Sequence, residues 1–349
     1  MPVIEAVGLS KVFRHAVKEP GLRGAVKHLF TQKYIDKIAV DNVDLKIHKG
    51  EAVAYIGPNG AGKSTTIKMF TGILVPSSGR VTVDGVLPYK RREQNAKKIG
   101  AVFGQRTQLW WDIPIIEFFS LFKDIYEIPQ SRYKENLKRF STVLDLDEFI
   151  GQPARKLSLG QRMRADLAAS LLHDPMIVYL DEPTIGLDID VKERVREFIK
   201  EINNNGTTVM LTTHDIGDIE DICRRIVIID YGKIIYDGTL DEVKNRFARE
   251  RTLKIETSSR INDSIKDELT NNIDDNNVTI TYPSENEIHM SFDTDGVSAR
   301  DLISRAIELL DVNDFSVDEP KIETVIKQVY SRTIDLNEAG SNEAVDDDT

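Results

Sequence analysis

The sequence predicts an α/β protein, with a large domain built on a parallel sheet and a small α+β domain after it. Three observations predict this. Short continuous apolar runs alternate with amphipathic helical stretches over the first two thirds of the chain. One apolar run is joined to a helix by a glycine-rich loop. Near residue 245 Ser, Asn and Asp become frequent, and the strand pattern changes to polar–apolar alternation.

The glycine-rich loop is Gly57-Pro58-Asn59-Gly60-Ala61-Gly62-Lys63-Ser64-Thr65. Ala52 to Ile56 before it reads as a buried strand, and Thr66 to Phe70 after it as the beginning of a helix. The frame G-x-x-x-x-G-K-[ST] in a strand–loop–helix setting is a phosphate-binding loop. Its glycines allow the backbone to bend tightly and turn several N–H groups onto phosphates. The helix N-terminus adds positive partial charge at the same place. Lys63 reaches for the β- and γ-phosphates of a nucleotide, and the Ser64 hydroxyl for Mg²⁺.

Composition bounds the remaining possibilities. A chain of 349 residues with net charge −11 holds one large or two smaller domains and lacks the bulk positive charge of a general nucleic-acid binder. Its single cysteine, Cys223, rules out an internal disulfide, suits a reducing compartment and reads as a small buried apolar residue. Met1 to Glu5 carries no basic segment leading into an apolar one, so no signal peptide is expected. The most apolar run, Ile113 to Phe122, is interrupted by Glu117 and is too short to span a membrane. The expectation is a soluble protein, or one held at a membrane by a partner.

In chain order, Pro2 to Leu9 reads as an edge strand. The segment 14–37 is a basic insertion, with seven Lys/Arg against two Asp/Glu from Lys11 to Lys37. Leu22, Ala25, Val26, Leu29 and Phe30 stand at helical spacing within it. A surface insertion packed on its own domain and an amphipathic helix facing anionic lipid or a membrane partner both fit. Ala39 to His48 is a second strand, Pro76 to Gly79 a turn, and Arg80 to Val83 and Ile99 to Phe103 further strands, the last leading into Gln105. From Trp110 to Ile150 the pattern is helical, and the aromatics Trp110, Trp111, Phe118 and Phe119 read as core with an exposed docking edge. A helix carrying Met163, Leu167 and Leu171 stops at Asp174-Pro175. Ile177 to Leu180, Thr208 to Leu211 and Ile226 to Ile229 are runs suited to strands covered on both faces. Between the first two, Val195, Phe198, Ile199 and Ile202 mark one face of a helix ended by Asn205-Gly206.

The second domain reads as β-α-β-β-α-β and a final helix carrying Ile322, Val325, Ile326, Val329 and Tyr330. Thr333 to Thr349 holds six acids and no base, the composition of a disordered tail. The expected organisation is thus a nucleotide-binding domain over 1–245, with the insertion 14–37 and a helical subdomain at about 106–165. An accessory domain over 250–331 and an acidic tail over 332–349 complete it.

Five further features follow the loop in a fixed order: Gln105 at a strand end, Leu157-Ser158-Leu159-Gly160-Gln161, the apolar strand ending in Asp181-Glu182, Gly186-Leu187-Asp188, and His214. This constellation resembles the ATPase subunit of ATP-binding cassette transporters over about Ile4 to Asp241. The resemblance implies a phosphate-loop α/β core of that type, with antiparallel β and helical subdomains, ATP and Mg²⁺ as cofactors, and ATP hydrolysis. In it Asp181, Ser64 and Gln105 attend Mg²⁺, Glu182 activates the attacking water, and His214 bonds the γ-phosphate and positions Glu182. Ser158, Gly160 and Gln161 form a signature at a helix N-terminus that meets the γ-phosphate on a second subunit. One chain carries one loop and one signature, so a homodimer is expected. Leu159 departs from the commoner Gly. Adenine stacking falls to Phe13, with Tyr34, Phe30 or a plain core role for Phe13 as alternatives. Asp318 to Val325 is similar to the closing motif of the drug- and polysaccharide-export branch, whose members pair with separate membrane permeases. The implied protein is a peripheral subunit on the cytoplasmic face of a membrane that powers export and binds no nucleic acid. The alternatives are a soluble homodimeric cassette ATPase without a transport role and a regulatory module that does not hydrolyse. Glu182 and His214 both being present argue against the latter.

Overall fold

The computed structural model describes residues 1–16, 34–104, 107–247, 250–273, 278–293 and 296–318. Most of the basic insertion, Gln105, the final helix of the second domain and the acidic tail lie outside the described residues. The chain divides into two compact units, Met1–Thr239 and Leu240–Thr349.

The first unit contains a six-stranded sheet in the order β5-β6-β7-β3-β8-β9. Its strands are β3 (Ala52–Ile56), β5 (Ile99–Phe103), β6 (Ile177–Asp181), β7 (Thr208–Thr212), β8 (Arg225–Asp230) and β9 (Lys233–Thr239). The first five are parallel, and β9 returns antiparallel beside β8. β3 and β7 are buried at every residue, which is why they read as unbroken apolar runs. β9 has no such run, since its residues are half-buried or exposed at the sheet edge.

A second, three-stranded antiparallel sheet has the order β2-β1-β4, made of β1 (Pro2–Ala16), β2 (Tyr34–His48) and β4 (Ser78–Val83). The expectation of an edge strand at Pro2 to Leu9 is corrected here. β1 is the middle strand, because its apolar residues pair with β2 on one side and β4 on the other. The expected turn at Pro76 to Gly79 is shorter than read, since β4 already begins at Ser78.

The loop helix α1 (Lys63–Phe70) begins three residues before the expected Thr66. It packs Ile67, Met69 and Phe70 into a core shared with β1, β2, Tyr55 and Tyr179. A short α2 spans Arg92–Ala96. The stretch expected to be helical from Trp110 consists of α3 (Ile115–Ile125) and α4 (Gln130–Leu144). Phe118 and Phe119 are buried, whereas Trp110 and Trp111 are about half exposed. α5 (Leu159–Leu171) is buried from Met163 onward on all sides, whereas α6 (Ile189–Asn204) buries only the face with Val195, Phe198, Ile199 and Ile202. α7 (Ile216–Ile222) leads to Cys223, which is buried as expected.

The second unit opens with α8 (Leu240–Phe247). Its antiparallel sheet has the order β11-β12-β10-β13, from β10 (Glu250–Thr257), β11 (Val278–Ser284), β12 (Glu287–Asp293) and β13 (Val312–Asp318). α9 (Asp263–Asn272) and α10 (Ala299–Leu309) give the order β-α-β-β-α-β. Leu253, Ile255, Ile288, Met290 and Phe292 alternate with polar residues and form, with Leu269, Leu302 and Ala306, a core of its own. No helix among the described residues is long and apolar enough to cross a membrane.

Candidate active site

The phosphate loop joins β3 to α1 with backbone that admits no side chain at two points. A Cβ on Gly57 would lie 2.1 Å from the Ile229 carbonyl oxygen. At Gly62, φ is 113°, and a Cβ would meet the Ala39 carbonyl oxygen at 2.4 Å. Asn59 and Gly60 at the loop tip are exposed, Pro58, Ser64 and Thr65 are half-buried, and Ala61 is buried. Lys63 folds over the loop, its Nζ donating to the carbonyls of Gly57 at 2.5 Å and Pro58 at 3.3 Å. Burial holds its ammonium below the usual lysine range, against the opposing pull of Glu182 and Asp181.

Sheet order brings these groups together, since β3, β7 and β6 are neighbours. The Ser64 hydroxyl donates to Asp181 Oδ2 at 2.9 Å, across 117 residues of sequence. Thr212, at the end of β7, donates its hydroxyl to Asp181 Oδ1 at 2.6 Å. Its carbonyl accepts the Glu182 N–H at 2.9 Å. Glu182 leaves the strand with φ of 56°, a left-handed turn that a non-glycine residue adopts only when its surroundings require it. Its Oε1 lies 3.2 Å from His214 Nε2. Desolvation raises the Glu182 pKa, with His214 and Lys63 working against it. A carboxylate raised in this way binds a proton more readily, as a general base requires.

Behind this pair is a buried network that the sequence did not announce. Asp218, on α7, is fully buried and accepts hydrogen bonds from the hydroxyls of Thr184 and Thr213. Arg196 on α6 donates to its other oxygen at 2.7 Å. One carboxylate thus ties the turn after Glu182 to the turn containing His214. Each of these residues alone looks like an ordinary surface polar group in the sequence, and only their convergence reveals the role.

Ser158 is the N-cap of α5. Its hydroxyl accepts the Gln161 N–H at 3.2 Å, and Gln161 Oε1 accepts the Ser158 N–H at 2.9 Å. A Cβ on Gly160 would face Val191 and Leu187. Leu159 is 44% exposed and lies beside Gly186. The signature therefore sits among residues of the Gly186-Leu187-Asp188 region, apart from the hydrogen bonds of its own chain's loop. Phe13 on β1 is half-buried, pairs in register with Lys37, and has the Lys11 ammonium 5.3 Å from its ring centroid. Tyr34 is about half exposed, while Phe30 and Gln105 lie outside the described residues.

The donor set fits a nucleotide with a divalent cation. Gly57 and Gly62 admit no Cβ and so keep the loop's bend, Lys63 folds over that loop, and Ser64 with Asp181 offers two hard oxygen donors. Among the described residues no group of three or more His, Cys, Asp or Glu can hold a metal by itself. Two protein donors suit a cation that takes its remaining ligands from phosphate and water.

Comparison with known proteins agrees with this geometry. A family profile described as "ABC transporter" matches residues 40–185. The ABC transporter ATP-binding protein NatA of Bacillus subtilis (strain 168) is 33% identical over 205 residues, covering 59% of this chain and 83% of NatA. The linearmycin resistance ATP-binding protein LnrL of the same organism is 28% identical over 306 residues, covering 86% of this chain and 96% of LnrL. Among solved structures, a dimeric ATP-binding cassette in a post-hydrolysis state bound to ADP and Pi is 25% identical. It matches with a TM-score of 0.57 over 68% of this chain and 98% of that one. A phosphate loop, a paired Glu182 and His214, and a capped signature helix occur here on the same fold as in these relatives. This chain belongs to the ATP-binding, ATP-hydrolysing subunits of the ABC transporter family.

Proposed function

We propose that this subunit powers export through a separate membrane permease, working as a homodimer on the cytoplasmic face of the membrane. The observation that carries the catalytic part is the Glu182–His214 pair, 3.2 Å apart and joined through Asp181 and Thr212 to Ser64 of the phosphate loop. Glu182 takes the proton of the attacking water, and its partly desolvated carboxylate suits that role. His214 orients Glu182 by hydrogen bond. Lys63 turns from the carbonyls of Gly57 and Pro58 to the phosphates. Ser64 and Asp181 hold Mg²⁺, which when bound neutralises phosphate charge, and Gln105 attends the same site. Phe13 stacks on adenine. Ser158, Gly160 and Gln161 serve the nucleotide held by the second copy, so two sites form between two chains.

The export reading is supported by the likeness to LnrL, a linearmycin resistance ATP-binding protein that aligns with 86% of this chain. The compact unit after Thr239 acts as an accessory domain. Membrane association is tested by co-expression with a candidate membrane permease. The chain is expected to sediment with membranes only when that permease is present, and sedimentation independent of it would refute the partnership.

The chemistry is tested with Glu182→Gln. The variant is expected to bind ATP as the wild type does and to lose turnover by about 10²–10⁴-fold, the usual contribution of a positioned general base. Single-turnover hydrolysis at the wild-type rate would overturn the assignment.

A further inference from the structure

Glu182 and His214 stand on two separate turns, and packing alone does not hold either in place. The His214 side chain is 49% exposed, so no wall of neighbours fixes its ring. Glu182 leaves β6 in a left-handed conformation, which a residue other than glycine keeps only where its surroundings over-determine it. The oxygen where the two turns meet is Asp218 Oδ2. Thr184, two residues after Glu182, and Thr213, the residue before His214, both donate their hydroxyls to it, Thr213 at 2.7 Å. Both threonines and Asp218 are buried. Two donors on one oxygen stand within about 6 Å of each other. The Thr213 hydroxyl also accepts the Asp215 N–H at 3.0 Å, so the residues on both sides of His214 are held. The path closes on itself: it runs from Glu182 through Thr184, Asp218 and Thr213 to His214, whose Nε2 lies 3.2 Å from Glu182 Oε1.

Asp218 is itself anchored from α6. Arg196 Nε donates to Asp218 Oδ1 at 2.7 Å, and Arg196 Nη2 donates to Asp215 Oδ1 at 3.0 Å. One turn earlier on α6, Lys192 Nζ donates to Asp215 Oδ2 at 2.7 Å. Residues four apart share one face of a helix, so α6 presents two cations to the two acids at the start of α7. The guanidinium packs on bare backbone there, since a Cβ on Gly217 would lie 2.8 Å from Arg196 Nη2. Arg196 balances the buried charge of Asp218 through Oδ1 alone. Both hydroxyls on Oδ2 come from the turns that carry Glu182 and His214.

We infer that Asp218 is a positioning residue for hydrolysis: by holding Thr184 and Thr213 on one oxygen, it sets the distance between Glu182 and His214. A carboxylate suits this place because one oxygen accepts from two hydroxyls while the other takes the guanidinium. The inference rests on the roles proposed above for Glu182 and His214.

The experiment changes the hydroxyls and leaves the Arg196–Asp218 ion pair in place. Thr184→Val with Thr213→Val removes both donors at nearly constant shape, and Thr184→Ser with Thr213→Ser keeps them. The full-length wild type and both double variants are compared, each also with His214→Ala. Steady-state ATPase parameters, ATP affinity by equilibrium filtration and single-turnover hydrolysis are measured. The Val pair is expected to lower kcat about tenfold and to leave KM and ATP affinity within about twofold. The Ser pair is expected to recover most of kcat. With His214→Ala present, the Val pair is expected to slow single-turnover hydrolysis by less than about twofold, because the contact it disturbs is already gone. The same tenfold cost in both backgrounds would show a general structural role and overturn the inference. So would wild-type kcat in the Val pair, or a Ser pair as impaired as the Val pair. Should the Val pair fail to fold, Thr213→Val alone is carried through the same cycle and read by the same outcomes. Hydrolysis at the wild-type rate by Glu182→Gln or by His214→Ala would instead refute the functional reading, which separates the two failures.

Discussion

Asp166 and His173 give the first unit two opposed pH dependences that cancel in the wild type and separate in variants. Burial pushes the Asp166 carboxyl from 3.8 up to about 6. Burial also pushes the His173 imidazole from 6.5 down to about 4, with its Nε2 3.0 Å from the Ile99 carbonyl and its ring stacked on Tyr126. The folded state binds the Asp166 proton more tightly than the unfolded chain does. The stability it confers is complete below pH 3.8 and is lost as pH rises through about 6. His173 works the other way, because the folded state binds its proton less tightly. Its contribution is present above pH 6.5 and is lost as pH falls towards about 4. Each gap corresponds to ~3 kcal/mol over its full range, and about 2 kcal/mol of each falls between about pH 4.5 and 6.5. The test is urea unfolding followed by tryptophan emission, which reports on this unit because both tryptophans lie in it. Relative to the wild type, Asp166→Asn is expected to gain ~2 kcal/mol as pH rises across that window, and His173→Gln to lose ~2 kcal/mol. Profiles parallel to the wild type within ~0.5 kcal/mol would refute the reasoning.

Three further outcomes follow from the site. Phe13→Ala is expected to weaken ATP binding by ~1–3 kcal/mol, the usual worth of base stacking, as measured by nucleotide titration; a loss with Tyr34→Ala in its place would move the platform to Tyr34. Asp218→Ala leaves Arg196, Thr184 and Thr213 without their shared acceptor and is expected to cost ~3–5 kcal/mol of stability, read by urea midpoint. An unchanged midpoint would show the network to be dispensable. Glu182→Gln with ATP and Mg²⁺ is expected to form a dimer by light scattering, ADP to give a monomer, and Ser158→Arg to abolish the dimer. A chain that stays monomeric at saturating ATP, both free and on its permease, would refute the shared site.

The sequence alone determined what depends on neighbours along the chain. The phosphate loop declared itself because strand, glycines, lysine and helix are contiguous. The parallel strands were written in runs that burial on both faces demands. The tertiary structure decided what depends on residues far apart. It placed β1 in the middle of its sheet, added β9 antiparallel at an edge, and kept Trp110 and Trp111 half exposed. It also set Ser64 against Asp181 across 117 residues and Gln108 against Asp166 across 58. Periodicity records only which face of an element is apolar. A hydrogen bond between two polar side chains leaves no periodic trace, because either partner alone has the composition of a solvated surface. Asp166 and Asp218 look like surface acids in the sequence. Only packing removes their water, and a carboxylate without water must find the partners that the fold supplies.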